Sequence, residues 1–208
     1  RALYCSVDPA GYYPQDVEPE YDLGYLGTYS PDRQPALQEL LMTPAQRWPA
    51  GRFVVAGPQY PAALHWPSNV QRIEHLAPPE HRDFYNRQRF TLNVTRVDMR
   101  AAGYSPSVRL FEAAACGVPI ISDDWPGLAT IFEPGREILI SRSAAETLAY
   151  LHDTQDECRR VIGHRGRQRV IRHHTAERRA VEFEEHVYRL LRRLGCAAET
   201  QRSGSPSG

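Results

Sequence analysis

Between residues 22 and 141, short apolar runs alternate with stretches of helical spacing, and Gly or Pro marks most of the joints. Residues 22–28 (DLGYLGT), 52–57 (RFVVAG), 70–76, 90–96 (FTLNVTR), 119–123 (PIISD) and 137–141 (EILIS) read as strands. Residues 35–42, 78–89 and 107–116 read as helices. The second opens on proline and acid, as helix starts do, and the third is stopped by Gly117 and Pro119. Short strands separated by helices form βαβ units. The expected fold is therefore α/β, a Rossmann-like parallel sheet with helices on both faces. Ligands of such sheets bind beyond the carboxyl ends of the strands, so the loops that follow the strands are where chemistry is sought.

Proline and charge divide the chain. Of 17 prolines, 16 lie at or before Pro134. Residues 1–140 hold 12 Arg against 16 acids, net −4, and residues 141–208 hold 13 Arg against 9 acids, net +4. The second part reads as successive helices, one near residues 156–173 and a last one over 175–194. Thr175 is placed to cap the last helix, and Ala176, Ala180, Phe183, Val187, Leu190, Leu191 and Leu194 form one apolar face. The expected organisation is an entering segment (1–20), a Rossmann-like domain (21–173), an amphipathic helix (174–196) and a disordered Ser/Gly/Thr-rich tail (197–208). The chain opens on Arg1 rather than Met, which suggests a domain cut from a longer protein.

Composition removes several chemistries. There is no lysine: all 25 basic residues are arginine. This excludes a Schiff base and a phosphate-loop lysine. The four cysteines, Cys5, Cys116, Cys158 and Cys196, are too scattered for a disulfide scaffold or a zinc ribbon. A reducing, cytoplasmic setting is expected. No apolar run approaches the roughly 18–20 residues of a membrane-spanning helix.

Three loops carry candidate site residues. After the first strand come Gly27, Thr28 and Ser30, with Arg33 in reach of a phosphate; a plain strand-to-helix turn is the alternative. After residues 90–96, a loop with Gly103, Ser105 and Pro106 feeds a helix near Ser107. The free amides of that helix start form an anion site, and Arg109 and Glu112 follow one to two turns in. One carboxylate can accept two hydrogen bonds from a vicinal diol, so a ribose fits Glu112 where a diphosphate sits on the amides. The alternative for Glu112 is an i,i+3 pair with Arg109 on a solvated face. The third loop holds His75 and Leu76, which border a base edge or form an ordinary connector. Asp123 and Asp124 have the chemistry to bind a metal or sugar hydroxyls but read best as a solvated strand-end pair, and His164, His173 and His174 as surface or packing residues.

The stretch RLFEAAACGVPIISD (109–123) resembles the nucleotide-sugar signature of GT-B glycosyltransferases. Residues 92–128 resemble the CgeB-like branch of that group. CSVDPAGYYP (5–14), DLGYLGTYSPDRQPAL (22–37) and HTAERRA (174–180) are similar to the entry segment, first strand–loop–helix and last helix of the C-terminal domain in these enzymes. The resemblance implies the donor-binding C-terminal half of a GT-B glycosyltransferase. The donor would be a nucleotide-diphosphate-sugar, the acceptor is open, and the partner would be an N-terminal domain of the same protein. It also implies that Glu112 holds the donor ribose, that Gly27, Thr28, Arg33 and the 105–109 loop face the diphosphate, and that residues 75–77 border the base. No essential metal or other cofactor is implied. Retaining relatives carry a glutamate eight positions before the ribose acid, where this chain has Tyr104, so the stereochemistry and the sugar contact stay open.

Two other functions fit parts of the sequence. Eight arginines between Cys158 and Arg179 would suit nucleic acid, but no aromatics interleave with them and the chain's net charge is zero. A sugar-nucleotide fold kept as a non-catalytic structural module is the other.

Overall fold

The computed structural model describes residues 3–103 and 105–202. Tyr104 and the end of the expected tail (203–208) lie outside them. Six strands, β1 (Tyr21–Leu26), β2 (Phe53–Ala56), β3 (Val70–Ile73), β4 (Gln88–Asn93), β5 (Ile120–Ser122) and β6 (Leu139–Ile140), form one sheet in the order β3-β2-β1-β4-β5-β6. All five pairings are parallel. The chain builds outward from β1 to β3, then returns to the other side of β1 and builds outward again. The loops after β1 and β4 thus leave the sheet in opposite directions, and a crevice opens between them.

The strands are buried on both sides. Along β2, Val54 and Ala56 join one core cluster while Phe53 and Val55 join the other. A continuous apolar run is what two helical layers demand of a strand between them. The first layer holds α3 (His81–Asn86), α5 (Val108–Ala115) and α8 (Asp156–His173); Phe84, Tyr85, Leu110, Phe111 and Val170 supply its core. The second holds the helical stretch after β1 and α7 (Ala144–Asp153), through Leu37, Leu40, Leu41, Met42 and Leu151. The stretch after β1 opens as α1 (Gln34–Leu37), passes through a π-helical segment (Gln38–Met42) and continues as α2 (Thr43–Arg47). The wider π turn ends just before Pro44, which has no N–H to give to an i−4 carbonyl.

Two short helices, α4 (Val97–Ala102) and α6 (Leu128–Ile131), stand where the sequence suggested only loops. The last helix, α9 (Ala176–Arg202), continues beyond residue 194 into the stretch read as a tail. Its start is capped as expected: the Arg178 amide donates to Thr175 Oγ1 at 3.3 Å. The entering segment does not stand apart from the domain. Val7 N donates to His174 O (3.1 Å) and Ala176 N to Val7 O (3.0 Å), so the segment is stitched to the α8–α9 junction. His174 is a packing residue, its ring tilted 43° against that of Phe111 with centroids 5.1 Å apart. Burial, then the charge of Arg179, pushes its imidazole down to about 4.

Candidate functional site

At the β1/β4 divergence lies a cavity of about 460 Å³. Gly27, Thr28, Arg33, His75, Leu76, Ser107, Arg109 and Glu112 all line it. Ser105, grouped with them in the sequence, does not; its neighbour Pro106 offers its carbonyl to the Cys5 thiol at 3.8 Å. Gly57, Pro58, Pro78, His81, Tyr85 and Arg96 also line it, with Leu26 and Val108. Arg96 ends the 90–96 run that reads as a strand, and no site role is expected of it from the sequence. His81 and Tyr85 carried no signal, because only the packing of α3 against α5 brings them in.

The rim is held by arginines that act first as structural ties. Arg109 is buried (7% exposed). Its Nε donates to the Leu26 carbonyl at the end of β1, and one terminal nitrogen donates to Asn93 Oδ1 at the end of β4 (3.0 Å). The guanidinium also stacks on the Tyr25 ring, 4.8 Å from its centroid. Arg33 is equally buried and donates to the Thr28 carbonyl, while its Nε has no partner among the described residues. Arg72 donates to the Val55 and Gly57 carbonyls and stacks on Tyr60 and Trp66, fixing the end of β2. Asp32 accepts from Ser30 Oγ and from the Val97 amide (2.9 Å), which ties the loop after β1 to α4; the Ser30 bond holds its carboxyl below the usual range.

Gly27 lines the cavity and also makes room for a contact inside the protein. A Cβ there would meet the Tyr25 phenol oxygen at 2.6 Å and an Arg109 nitrogen at 2.9 Å, so the missing side chain makes room for the protein's own strut. Gly57 sits at φ +137°, in backbone space that L side chains avoid, and a Cβ on it would run into the Gly27 carbonyl.

Glu112 does not pair with Arg109. Its side chain is 13% exposed, and its Oε2 accepts from the Tyr85 phenol at 2.9 Å. His81 Nδ1 lies 3.9 Å from the same oxygen, while Nε2 lies 3.3 Å from the Leu76 carbonyl. Burial, then the charge of Glu112, pushes the phenols of Tyr12 and Tyr85 well up and keeps them protonated. Ser107 stands just before α5 at its N-cap, and its hydroxyl makes no capping bond, although its carbonyl accepts from the Leu110 amide at 3.1 Å, so the first two amides of the helix are left for another acceptor. One carboxylate thus stands among three guanidinium groups and a helix start. Such a site suits an anion that also carries hydroxyls.

Asp123, expected in solvent, is buried at 5% exposure. It accepts from the Thr95 amide (3.1 and 3.2 Å) and hydroxyl (2.9 Å), and burial raises its carboxyl. Asp124 pairs with Arg142 at 2.7 Å. Among the described residues, no group of three or more His, Cys, Asp or Glu could hold a metal ion, and no helix is long and apolar enough to cross a membrane.

A family model described as glycosyl transferase-like matches residues 33–185, well over half of the chain. The chain belongs to this glycosyl transferase-like family. Solved structures share its fold. The sucrose-phosphate synthase of Thermosynechococcus elongatus is 18% identical with a TM-score of 0.72, over 95% of this chain and 53% of that one. Anabaena Alr3699/HepE, solved with UDP and glucose, is 13% identical with a TM-score of 0.72, over 90% and 56%. The C-terminal domain of the glycosyl transferase group 1 protein LpcC of Francisella tularensis is 14% identical with a TM-score of 0.63, over 82% and 99%. The chain spans little more than half of the first two and almost all of the third. Its six-stranded sheet and helices are therefore those of a GT-B C-terminal domain. No curated protein sequence matches.

Proposed function

We propose that this chain binds the nucleotide-diphosphate-sugar donor of a glycosyltransferase, as the C-terminal half of a GT-B enzyme of the CgeB-like branch. The observation that carries this reading is the convergence of Glu112, three arginines and the start of α5 on one cavity at the sheet's switch point. Ribose hydroxyls donate to Glu112. The diphosphate takes the α5 amides and the charge of Arg33, Arg96 and Arg109. The base lies toward His75, Leu76 and Pro78. UDP and glucose bound to Anabaena Alr3699/HepE, and UDP and GlcNAc bound to the pneumococcal O-GlcNAc transferase GtfA, support a nucleotide in a fold of this kind.

When the sugar leaves, negative charge grows on the departing nucleoside diphosphate. Fixed guanidinium groups and helix amides stabilise that charge without reorganising. Arginine does this bidentately, so the absence of lysine is no obstacle. The acceptor and the group that activates it belong to a second, N-terminal domain.

The test is a thermal-shift screen of the chain against UDP, GDP, ADP, CDP and dTDP, repeated with Glu112→Ala. A ligand at 100 times its dissociation constant adds about 2.7 kcal/mol, which is several degrees for a domain of this size. A shift with one nucleotide that disappears in the variant supports donor binding. A shift that persists in Glu112→Ala removes the ribose role of Glu112, and no shift with any nucleotide favours a non-catalytic module.

A further inference from the structure

A second cavity, of about 640 Å³, opens at the same edge of the sheet. That size is ordinary for a small-molecule site. Two of its walls continue elements that line the nucleotide cavity. Arg33 stands just before α1 on the nucleotide side, while Ala36, Glu39 and Leu40 of the same helical stretch line the second cavity. Arg96 stands just before α4 on the nucleotide side, and Arg100, one turn on, lines the second. The bond from the Val97 amide to Asp32 ties these two partitions together. The loops after β5 (Asp123–Pro126) and β6 (Ser141 and Arg142) close the far side.

Sheet order gives this cavity its place. His75 and Leu76 follow β3, Gly57 follows β2, Gly27 and Thr28 follow β1, and Arg96 follows β4. A nucleotide lying along this row with its base toward β3 has its diphosphate at β1 and β4. The next strands in order are β5 and β6, at about 5 Å per step, and their loops line the second cavity. Its lining suits hydroxyls. Glu39, Asp123 and Asp124 stand with Arg100 and Arg142, which leaves one negative charge in excess. Glu39 Oε1 accepts from the Ala144 amide and Asp124 Oδ2 from Arg142, both at 2.7 Å, so the second oxygen of each is left to meet a ligand. Trp125, in the same wall, is 4% exposed, and its buried indole N–H has no partner among the described residues. A buried donor without an acceptor is costly, and a ligand hydroxyl reaching it would supply one.

We propose that this cavity is an acceptor subsite and that it takes a neutral sugar. The inference rests on the donor reading above and adds the chemical class of the acceptor; the group that activates the reacting hydroxyl stays with the second domain. Neutral hydroxyls donate to Glu39 and Asp124 and accept from Arg100 and Arg142. An anionic acceptor would meet the excess negative charge.

The experiment is NMR titration of the 208-residue chain with the methyl glycosides of glucose, galactose and mannose, with and without the nucleoside diphosphate it binds. The readout is the indole N–H signal of Trp125, one of only three tryptophans, assigned by its loss in Trp125→Phe or by elimination with Trp48→Phe and Trp66→Phe. At least one glycoside is expected to shift this signal whether or not nucleotide is bound. Glu39→Gln and Asp124→Asn are each expected to weaken that glycoside about tenfold, with nucleotide binding by the same variants as the folding control. No shift with any of the three glycosides overturns the inference, and so does unchanged affinity in both variants. A glycoside displaced by nucleotide also overturns it, because it then occupies the nucleotide cavity. Tighter binding of methyl glucuronide or inorganic phosphate than of any neutral glycoside overturns the neutral class. If a glycoside binds and no nucleoside diphosphate does, the donor reading fails and the acceptor role with it, which is a different result from loss of the glycoside alone.

Discussion

The Arg109 guanidinium joins Asn93 Oδ1 at 3.0 Å to the Leu26 carbonyl and so ties the carboxyl end of β4 to that of β1 at the point where the two strands part. The crevice is open and braced at once. Arg109→Lys keeps the charge but has no fork to span both acceptors, and it leaves a buried oxygen short of a donor. The expected loss is about 1–3 kcal/mol of stability. Urea unfolding would measure it as a lower midpoint with an unchanged slope.

Arg33 differs from Arg109, because its Nε has no partner. Arg33→Met is expected to weaken binding of a nucleoside diphosphate by about tenfold, or about 1.4 kcal/mol, while affinity for the parent nucleoside stays the same. Parallel titrations with the two ligands check this, and an equal loss for both would place Arg33 away from the phosphates.

Gly57→Ala combines an unfavourable φ with a clash on the Gly27 carbonyl. A cost of about 1–3 kcal/mol is expected, together with weaker nucleotide binding, since Gly27 and Gly57 share one wall of the cavity. Thermal unfolding with and without nucleotide separates the two effects.

His174 makes stability depend on pH. Its imidazole falls from an ordinary value of 6.5 to about 4 in the folded chain, through burial first and the Arg179 charge second. Between those values the unfolded chain binds the extra proton and the folded chain does not. Stability therefore rises with pH across this window, by about 2–3 kcal/mol, and the gain is lost as pH falls toward the folded value. His174→Gln is expected to flatten the rise in urea midpoints measured from pH 4 to 6.5.

The sheet was legible because strands buried on both faces leave continuous apolar runs, as in FVVA of β2 and IIS of β5. Helices α4 and α6 were not legible. At 6 and 4 residues they are too short to show a period, and tertiary packing rather than propensity holds them. The lining of the cavity was legible where a loop follows a strand: Gly27, Thr28, Arg33, His75, Leu76, Ser107, Arg109 and Glu112 all reach it. Tyr85 and His81 lie inside a helix whose facing partner is distant in sequence, and no spacing rule points to them. Gly27 shows a subtler limit. The sequence shows that a side chain is missing, but not whether the space belongs to a ligand or to Tyr25 and Arg109.

The short stitch between Val7 and the α8–α9 junction has a mechanical consequence. Two backbone hydrogen bonds couple the entering peptide to the root of α9, so a torque applied at either place is delivered to the same few residues. Rotation of α9 against the sheet must shear both bonds together, or else carry the entering segment with it. The two segments therefore act as a single pivot rather than as two independent tethers.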